Sequence, residues 1–238
     1  MSSERLKKIF KENAEFERES PYNFCDRWCA RCPEQTQGRC RVFQEELEQK
    51  LTCIAHGRDE DDPEIIAQVM NWQQAHDEDG MWEDLDNLEE IDLENSAGAG
   101  FEKIRDHLQF VENHSLPPSV DQYRQRASVF LKETFFSEIE WDKNIRYDFE
   151  TLAWYHTLLP VKLQRALAGF HEPVTEDDIA LNDAVAQLVI CKKGIKLSVE
   201  ALGRLNCSYP QKKIQVIELV ALLRNIESRI EGMIEGIK

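Results

Sequence analysis

The chain has 238 residues, of which 42% are hydrophobic and 31% are charged, and this composition is typical of a folded globular protein. The formal net charge is −16, all of it carried by residues 1–141, and residues 59–94 contain fifteen acidic residues and no Lys or Arg, which argues against binding of nucleic acid. No apolar run has the length of a secretory signal or a membrane span, so we expect a cytoplasmic protein that does not enter membranes.

The first part of the chain predicts two amphipathic helices. Residues 3–19 place apolar side chains on one side of a helix that ends before Pro21. A second helix begins at Val42 and can end at Gly57, because glycine readily adopts the left-handed conformation that closes a helix. Asp62 is the expected N-cap of a third helix. The apolar residues that define the first two helices are Leu6, Ile9, Phe10, Phe16, Phe43, Leu47, Leu51 and Ile54.

Four cysteines lie between the first two helices, in a C-x3-C-x2-C-x7-C pattern. Cysteines of a cytoplasmic protein are expected to stay reduced, so a dense cluster is better explained by metal binding than by disulfides. The short spacers let a compact turn present several sulfur atoms to one ion, and Gly38 gives the longer spacer the freedom to bring back the last cysteine. The predicted metal ligands are Cys25, Cys29, Cys32 and Cys40.

The neighbours of these cysteines suit an anionic metal site, and two kinds of metal remain open. The basic neighbours, which would stabilise thiolates, are Arg27, Arg31, Arg39 and Arg41, and the aromatic neighbours are Tyr22, Phe24, Trp28 and Phe43. The Cys32-Pro33 pair resembles ferredoxin-style ligation, although the ferredoxin spacing is absent. Zinc ribbons usually have two separated C-x2-C knuckles, and only one occurs here. We therefore expect an iron–sulfur cluster, with zinc as the alternative.

An acidic segment follows at residues 77–100 and ends in the flexible sequence Asn95-Ser-Ala-Gly-Ala-Gly100. Its density of like charge predicts a linker. Apolar residues recur in it about once per helical turn, so it is also a candidate binding segment for a protein partner. These apolar residues are Trp82, Leu85, Leu88 and Ile91.

The remainder predicts a helical bundle, with helices near residues 101–113, 119–140, 143–168, 176–203 and 210–237. Pro160 is expected to kink or break the third of these. The last helix carries an apolar seam with alternating steps of three and four residues, which indicates packing inside the bundle or, alternatively, a coiled-coil contact in a homodimer. The seam residues are Val216, Leu219, Leu223, Ile226, Ile230, Met233 and Ile237.

The candidate residues outside the cluster give weaker indications of function. His156 lies beside Trp154 and Tyr155 and within reach of Tyr147, so these residues could line an enzyme pocket, although such a stripe more often belongs to a core. Core packing is the expected role of Cys53, Cys191 and Cys207, with Cys53 and His56 as an alternative ligand pair. The basic residues Lys192, Lys193 and Lys196 are expected on a solvated face.

Together these patterns predict an all-α protein in three parts. Residues 1–76 hold the four-cysteine metal-binding loop between two helices, residues 77–100 form the acidic linker, and residues 101–238 form the bundle. The first functional hypothesis is an iron–sulfur protein with a redox or sensing role. The second is a zinc-stabilised module that binds a protein through the acidic segment or the C-terminal helix. An enzyme with a pocket around His156 is the third, and the sequence leaves open whether the chain is an enzyme at all.

Overall fold

A computed structural model describes residues 4–68, 109–111, 113–135, 142–171 and 179–237, apart from the side chain of residue 144. The described residues form helices joined by turns and include no β-strand, so the predicted all-α class is confirmed for them. Contacts between residues divide the chain into two units. The first comprises Met1–Glu17, Asn23–Asp26 and Asp106–Lys238, and the second comprises Arg18–Tyr22 and Arg27–Arg105.

The α-helices with defined bounds are α1 (Glu4–Glu19), α2 (Glu34–Gln37), α3 (Arg41–Ala55), α4 (Leu116–Glu133), α5 (Lys143–His171), α6 (Ile179–Ser208) and α7 (Lys213–Glu235). Short 3-10 helices cover Pro21–Asn23, Cys29–Arg31 and Pro210–Lys212. Residues 63–68 are also helical.

In the first unit, four long helices pack in a ring: α4 contacts α5, α5 contacts α6, α6 contacts α7, and α7 contacts α4. The contact between α5 and α6 is the most extensive. The core between them is built from aliphatic and aromatic side chains that are almost completely buried, among them Tyr123, Phe130, Phe149, Leu159 and Leu188. Burial of this apolar area is the main source of stability for such a bundle.

Helix α6 is the central element of the first unit. Residues all around the helix are buried, which is typical of a helix surrounded by others. Helix α1 packs against the first part of α6, where Leu6 and Ile9 form one cluster with Val185. The amide of Asn13 on α1 donates a hydrogen bond of 2.9 Å to the backbone oxygen of Asn182.

The apolar seam of the last helix lies inside the bundle. Val216, Leu219, Leu223, Ile226 and Ile230 are buried in the main core, with Met233 packed against it. The prediction of packing within the bundle is therefore confirmed. These side chains already have partners in their own chain, so a coiled-coil homodimer through the same seam is not needed to explain their spacing.

The described part of the second unit has few buried side chains. They are Pro21, Cys40, Cys53 and Ile65. Two predictions about its helices are confirmed: Gly57 has φ +70° after α3, and the Asp62 carboxylate accepts a hydrogen bond of 2.9 Å from the backbone N–H of Glu64, which starts the next helix.

Several predicted helix bounds were wrong. Helix α4 begins at Leu116 rather than at residue 119, with Pro117 and Pro118 in its first turn, where missing N–H groups cost nothing. Helix α5 continues through Pro160 to His171. Leu159 and Leu163 on either side of the proline are buried, so tertiary packing holds the helix together despite one missing hydrogen bond.

The face predicted for α1 was also partly wrong. Phe10 and Phe16 are about half exposed, at 44% and 50%, whereas Asn13 takes a buried position beside Leu6 and Ile9. The hydrogen bond from Asn13 to α6 satisfies its amide N–H there and makes the burial tolerable. The acidic segment at 77–100 and the predicted boundaries at residues 76 and 100 lie outside the described residues, so the division into three parts stays a prediction.

Candidate functional site

Two of the predicted ligands flank a single tight turn in the second unit. A 3-10 helix covers Cys29–Arg31, and the backbone N–H of Cys32 donates to the carbonyl oxygen of Cys29 at 3.1 Å. The side chain of Gln37 donates to the Cys32 carbonyl at 3.0 Å, which ties the turn to α2. Both thiols are half-buried. A C-x2-C sequence thus forms the compact turn that the metal prediction requires at this point.

Cys40 lies at the start of α3, also in the second unit. It is the N-cap residue of the helix, and its carbonyl accepts the first hydrogen bond of α3 from the N–H of Gln44 at 3.0 Å. Its own N–H donates to the carbonyl of Gln37 at 3.1 Å, and its side chain is buried. The backbone at Cys40 is therefore fixed by hydrogen bonds from both its N–H and its carbonyl.

Cys25 belongs to the first unit, where its neighbour Asp26 is held by side chains of α5 and α6. The indole N–H of Trp154 donates to the backbone oxygen of Asp26 at 2.9 Å, and the hydroxyl of Tyr155 donates to its Oδ2 at 2.6 Å. The ammonium of Lys193 lies 2.8 Å from the same Oδ2. The carboxylate is largely buried, since its side chain is only 12% exposed.

Several basic and aromatic residues near the cysteines form specific contacts. The guanidinium of Arg31 lies over the ring of Trp28, 3.3 Å from its centroid, and that of Arg27 lies 5.5 Å from the centroid of Tyr22. Arg39 donates to the backbone oxygen of Arg18 at 3.2 Å. Arg41 forms an ion pair with Glu45. Arg27 has φ +57°, in the left-handed region that is unfavourable for a residue with a side chain.

The described residues do not bring together three or more His, Cys, Asp or Glu side chains in a group able to hold a metal ion. The structure forms the local turn at Cys29–Arg31 and the helix start at Cys40, but these cysteines are not part of such a group among the described residues. Metal binding by these residues with Cys25 stays a prediction. The donor set itself, four thiols and adjacent cationic side chains, has the chemistry that both iron–sulfur and zinc sites use.

The cysteines outside the cluster differ from one another. Cys53 is fully buried on α3, and its thiol contacts the carbonyl of Asp62 at 3.9 Å, whereas His56 is exposed. Cys191 is buried in the bundle, and burial raises the pKa of its thiol to about 12, so it is unreactive. Core packing is thus confirmed for Cys53 and Cys191. Cys207 is exposed, so the prediction was wrong for this residue.

His156 does not carry the features expected of a catalytic base. Its Nδ1 lies 2.6 Å from the carbonyl oxygen of Ala153 in the same helix, so this nitrogen is the donor in the neutral ring. Burial lowers the pKa of His156, partly opposed by hydrogen bonds to backbone carbonyls. Tyr147 is 49% exposed, and Trp154 is engaged with Asp26. These contacts indicate a structural histidine.

Sequence reasoning missed the contacts of Asp26. Lys193 was assigned to a solvated face, and its side chain is 59% exposed, but its ion pair with Asp26 was not predicted. Tyr155 was treated only as a neighbour of His156. The overlooked signal is Gly194, an isolated glycine inside a long helical pattern, since such a glycine often marks a close approach. A Cβ at Gly194 would lie 2.6 Å from Cδ1 of Tyr155, so the absence of a side chain lets the tyrosine ring lie directly on α6.

In the described parts of the chain, no helix has both the length and the apolar character that crossing a membrane requires. Comparisons of the chain with protein-family models, with curated proteins and with solved structures found no match.

Proposed function

We propose that this protein binds an iron–sulfur cluster through Cys25, Cys29, Cys32 and Cys40 and acts in redox chemistry or sensing inside the cell. The observation that carries the proposal is the spacing of the four cysteines in the sequence. When bound, such a cluster would supply reversible uptake of an electron. In this chain, the cysteine thiolates would hold it, and reduced thiols agree with the expected cytoplasmic location.

The small number of buried side chains in the second unit supports a metal there. Among its described residues, two of the four buried side chains are cysteines, and aliphatic side chains on α3 remain exposed. Where the described residues bury so little apolar surface, a bound metal would be a further source of stability. Coordination of a metal by cysteines contributes about 10–16 kcal/mol in small zinc domains, which is enough to order such a region.

A zinc-stabilised protein-binding module is the second candidate, and the exposed apolar residues of α3 favour it. Leu47, Leu51 and Ile54 recur at helical spacing and are 45%, 55% and 56% exposed. An exposed apolar face is a usual feature of helices that bind other proteins. In this alternative the metal has only a structural role, and the partner binds through this face, the acidic segment or the C-terminal helix.

Metal analysis separates the two candidates. The protein is purified without oxygen, and its iron, acid-labile sulfide and zinc are measured beside its absorption spectrum. Stoichiometric iron and sulfide in a coloured protein support the first candidate. Stoichiometric zinc in a colourless protein supports the second. A protein that remains metal-free after reconstitution with each metal under reducing conditions contradicts both.

Single Cys→Ser substitutions then identify the ligands. Replacement of Cys25, Cys29, Cys32 or Cys40 should remove most of the bound metal, because a serine hydroxyl is a poor ligand for soft metals. Cys207→Ser is the matched control, since this thiol is exposed and lies outside the cluster. It should retain wild-type metal content. Equal metal content in all five variants would show that the cluster is not the binding site.

A further inference from the structure

We propose that Asp26, Tyr155 and Lys193 form an anchor that fixes the backbone of the segment Asn23–Asp26, and with it Cys25, on helices α5 and α6. We call these three residues the Asp26 anchor. They would be positioning residues for a predicted metal ligand, so the consequence for metal retention rests on the proposed function. The anchor itself is argued from contacts within the first unit.

The segment is held at several atoms by the Asp26 anchor and by two further side chains. The carboxylate of Asp26 accepts a hydrogen bond from Tyr155 at 2.6 Å and lies 2.8 Å from the ammonium of Lys193. Its backbone oxygen accepts the indole N–H of Trp154 at 2.9 Å. Three residues earlier, the backbone oxygen of Asn23 accepts the amide of Gln187 at 3.2 Å. Both ends of the segment are therefore held, and Cys25 lies between them.

The contacts of Asp26 are of a kind that contributes strongly to local order. A largely buried carboxylate loses its hydration, so it needs charged and hydrogen-bonded partners in the protein. Hydrogen bonds to an ionised group are about twice as strong as neutral ones. Release of Asp26 would leave the hydroxyl of Tyr155 and the ammonium of Lys193 without the carboxylate that they contact. Opening of the segment therefore costs free energy.

The geometry of the helices is adapted to this contact. The ring of Tyr155 is 1% exposed and lies against Gly194, next to Lys193 in the sequence. Because Gly194 has no Cβ, the ring approaches the backbone of α6. Its hydroxyl and the Lys193 ammonium then contact the same atom of Asp26, Oδ2. A tyrosine used only for packing has no need of a hydroxyl in contact with a carboxylate.

The test compares Tyr155→Phe and Lys193→Met with two controls. Tyr155→Phe keeps the ring and removes the hydroxyl, and Lys193→Met keeps most of the aliphatic stem and removes the charge. Lys193→Arg retains the ion pair and should restore wild-type behaviour. Lys192→Met is the matched control, because Lys192 forms an ion pair of the same 2.8 Å length with Glu231, away from Asp26.

The first readout is the alkylation of Cys25 by iodoacetamide in the reduced, metal-free protein, followed by peptide mass spectrometry. Loss of the buried hydroxyl should raise the rate at Cys25 roughly tenfold in Tyr155→Phe. Lys193→Met should raise it by a smaller factor, about two- to fivefold, because the ammonium is 59% exposed and its ion pair is screened by solvent. The rate at the exposed Cys207 should not change. The Lys193→Arg and Lys192→Met proteins should match wild type at both positions.

The second readout is the release of metal from loaded protein to EDTA, which should accelerate roughly tenfold in Tyr155→Phe and about two- to fivefold in Lys193→Met. An unchanged Cys25 alkylation rate in the double variant Tyr155→Phe/Lys193→Met, at wild-type helix content, would overturn the anchor. Equal acceleration at Cys53 and Cys191 would also overturn it, because it would indicate general loosening. A wild-type protein that binds no metal contradicts the proposed function alone, and the alkylation rates still decide the anchor.

Discussion

The described parts of the two units bury apolar surface to very different extents. The first unit surrounds α6 with other helices and closes a core of almost completely buried side chains. The described part of the second unit buries few side chains and leaves aliphatic residues of α3 exposed. The contrast indicates that burial of apolar surface orders the bundle, whereas the described residues around the cysteines have little of it.

The largest expected difference between the units comes from the same substitution made in each. Leu223 is fully buried in the bundle, and Leu51 on α3 is 55% exposed. Leu223→Asp should lower the free energy of unfolding by about 4 kcal/mol or more, because an unpaired carboxylate is buried. Leu51→Asp should change it by about 0.5 kcal/mol or less. Urea unfolding followed by circular dichroism measures both.

Two outcomes would break this contrast. A Leu223→Asp protein with wild-type stability would show that the seam is not a core. A large loss of stability in Leu51→Asp, accompanied by a change of mass in light scattering, would show that the face of α3 is already covered by a partner copy in solution. Light scattering on the wild-type protein supplies the reference mass.

A smaller effect is expected from two glycines of α6, the central helix of the first unit. A Cβ at Gly194 would meet the Tyr155 ring at 2.6 Å, whereas a Cβ at Gly203 would have nothing within 4 Å. Gly194→Ala should therefore cost about 1–3 kcal/mol, as overpacking does. Gly203→Ala should stabilise the protein by about 0.5–1 kcal/mol, because alanine has the higher helix propensity. Thermal unfolding of the two variants provides the comparison.

The opposite signs of these effects are the critical result. Two Gly→Ala changes in one helix share the same gain in helix propensity, so their difference isolates the close contact with Tyr155. Equal stabilisation by both would mean that the tyrosine ring moves away without cost and that its position over α6 is not fixed.

The bundle could be predicted from the sequence to a large extent. The last helix and its buried side were predicted correctly from periodic apolar residues such as Leu219, Leu223 and Ile226. A regular 3.6-residue period arises when one side of a helix is buried. The pattern did not show that α5 continues through Pro160, since packing of Leu159 and Leu163 overrides local preference. The sequence likewise placed the start of α4 near residue 119, three residues after its observed start at Leu116, because helix ends carry weaker sequence signals than helix interiors.

The candidate site was predictable only as a set of chemical groups. Spacing identified the C-x2-C turn and the four thiols, and the structure forms that turn at Cys29–Arg31. Spacing could not show that Asp26 contacts Tyr155 and Lys193, residues 129 and 167 positions away, because long-range contacts of single polar side chains leave no periodic pattern. The isolated Gly194 was the only local sign of that contact.

The smallest expected effect concerns the pH dependence of the bundle, and it distinguishes a structural His156 from a functional one. Burial lowers the pKa of His156 in the folded protein below the value of the unfolded chain. The unfolded state then binds more protons as the pH falls through the range just below the ordinary histidine pKa of 6.5, so the free energy of unfolding decreases on acidification. His156→Gln should reduce this slope between pH 7 and pH 5, with urea unfolding at each pH as the measurement. His114, whose pKa is also lowered by burial and by Arg229, contributes a slope of the same sign and remains in the variant. The variant should therefore keep part of the pH dependence, and a slope identical to that of wild type would show that His156 is as solvated in the folded chain as in the unfolded one.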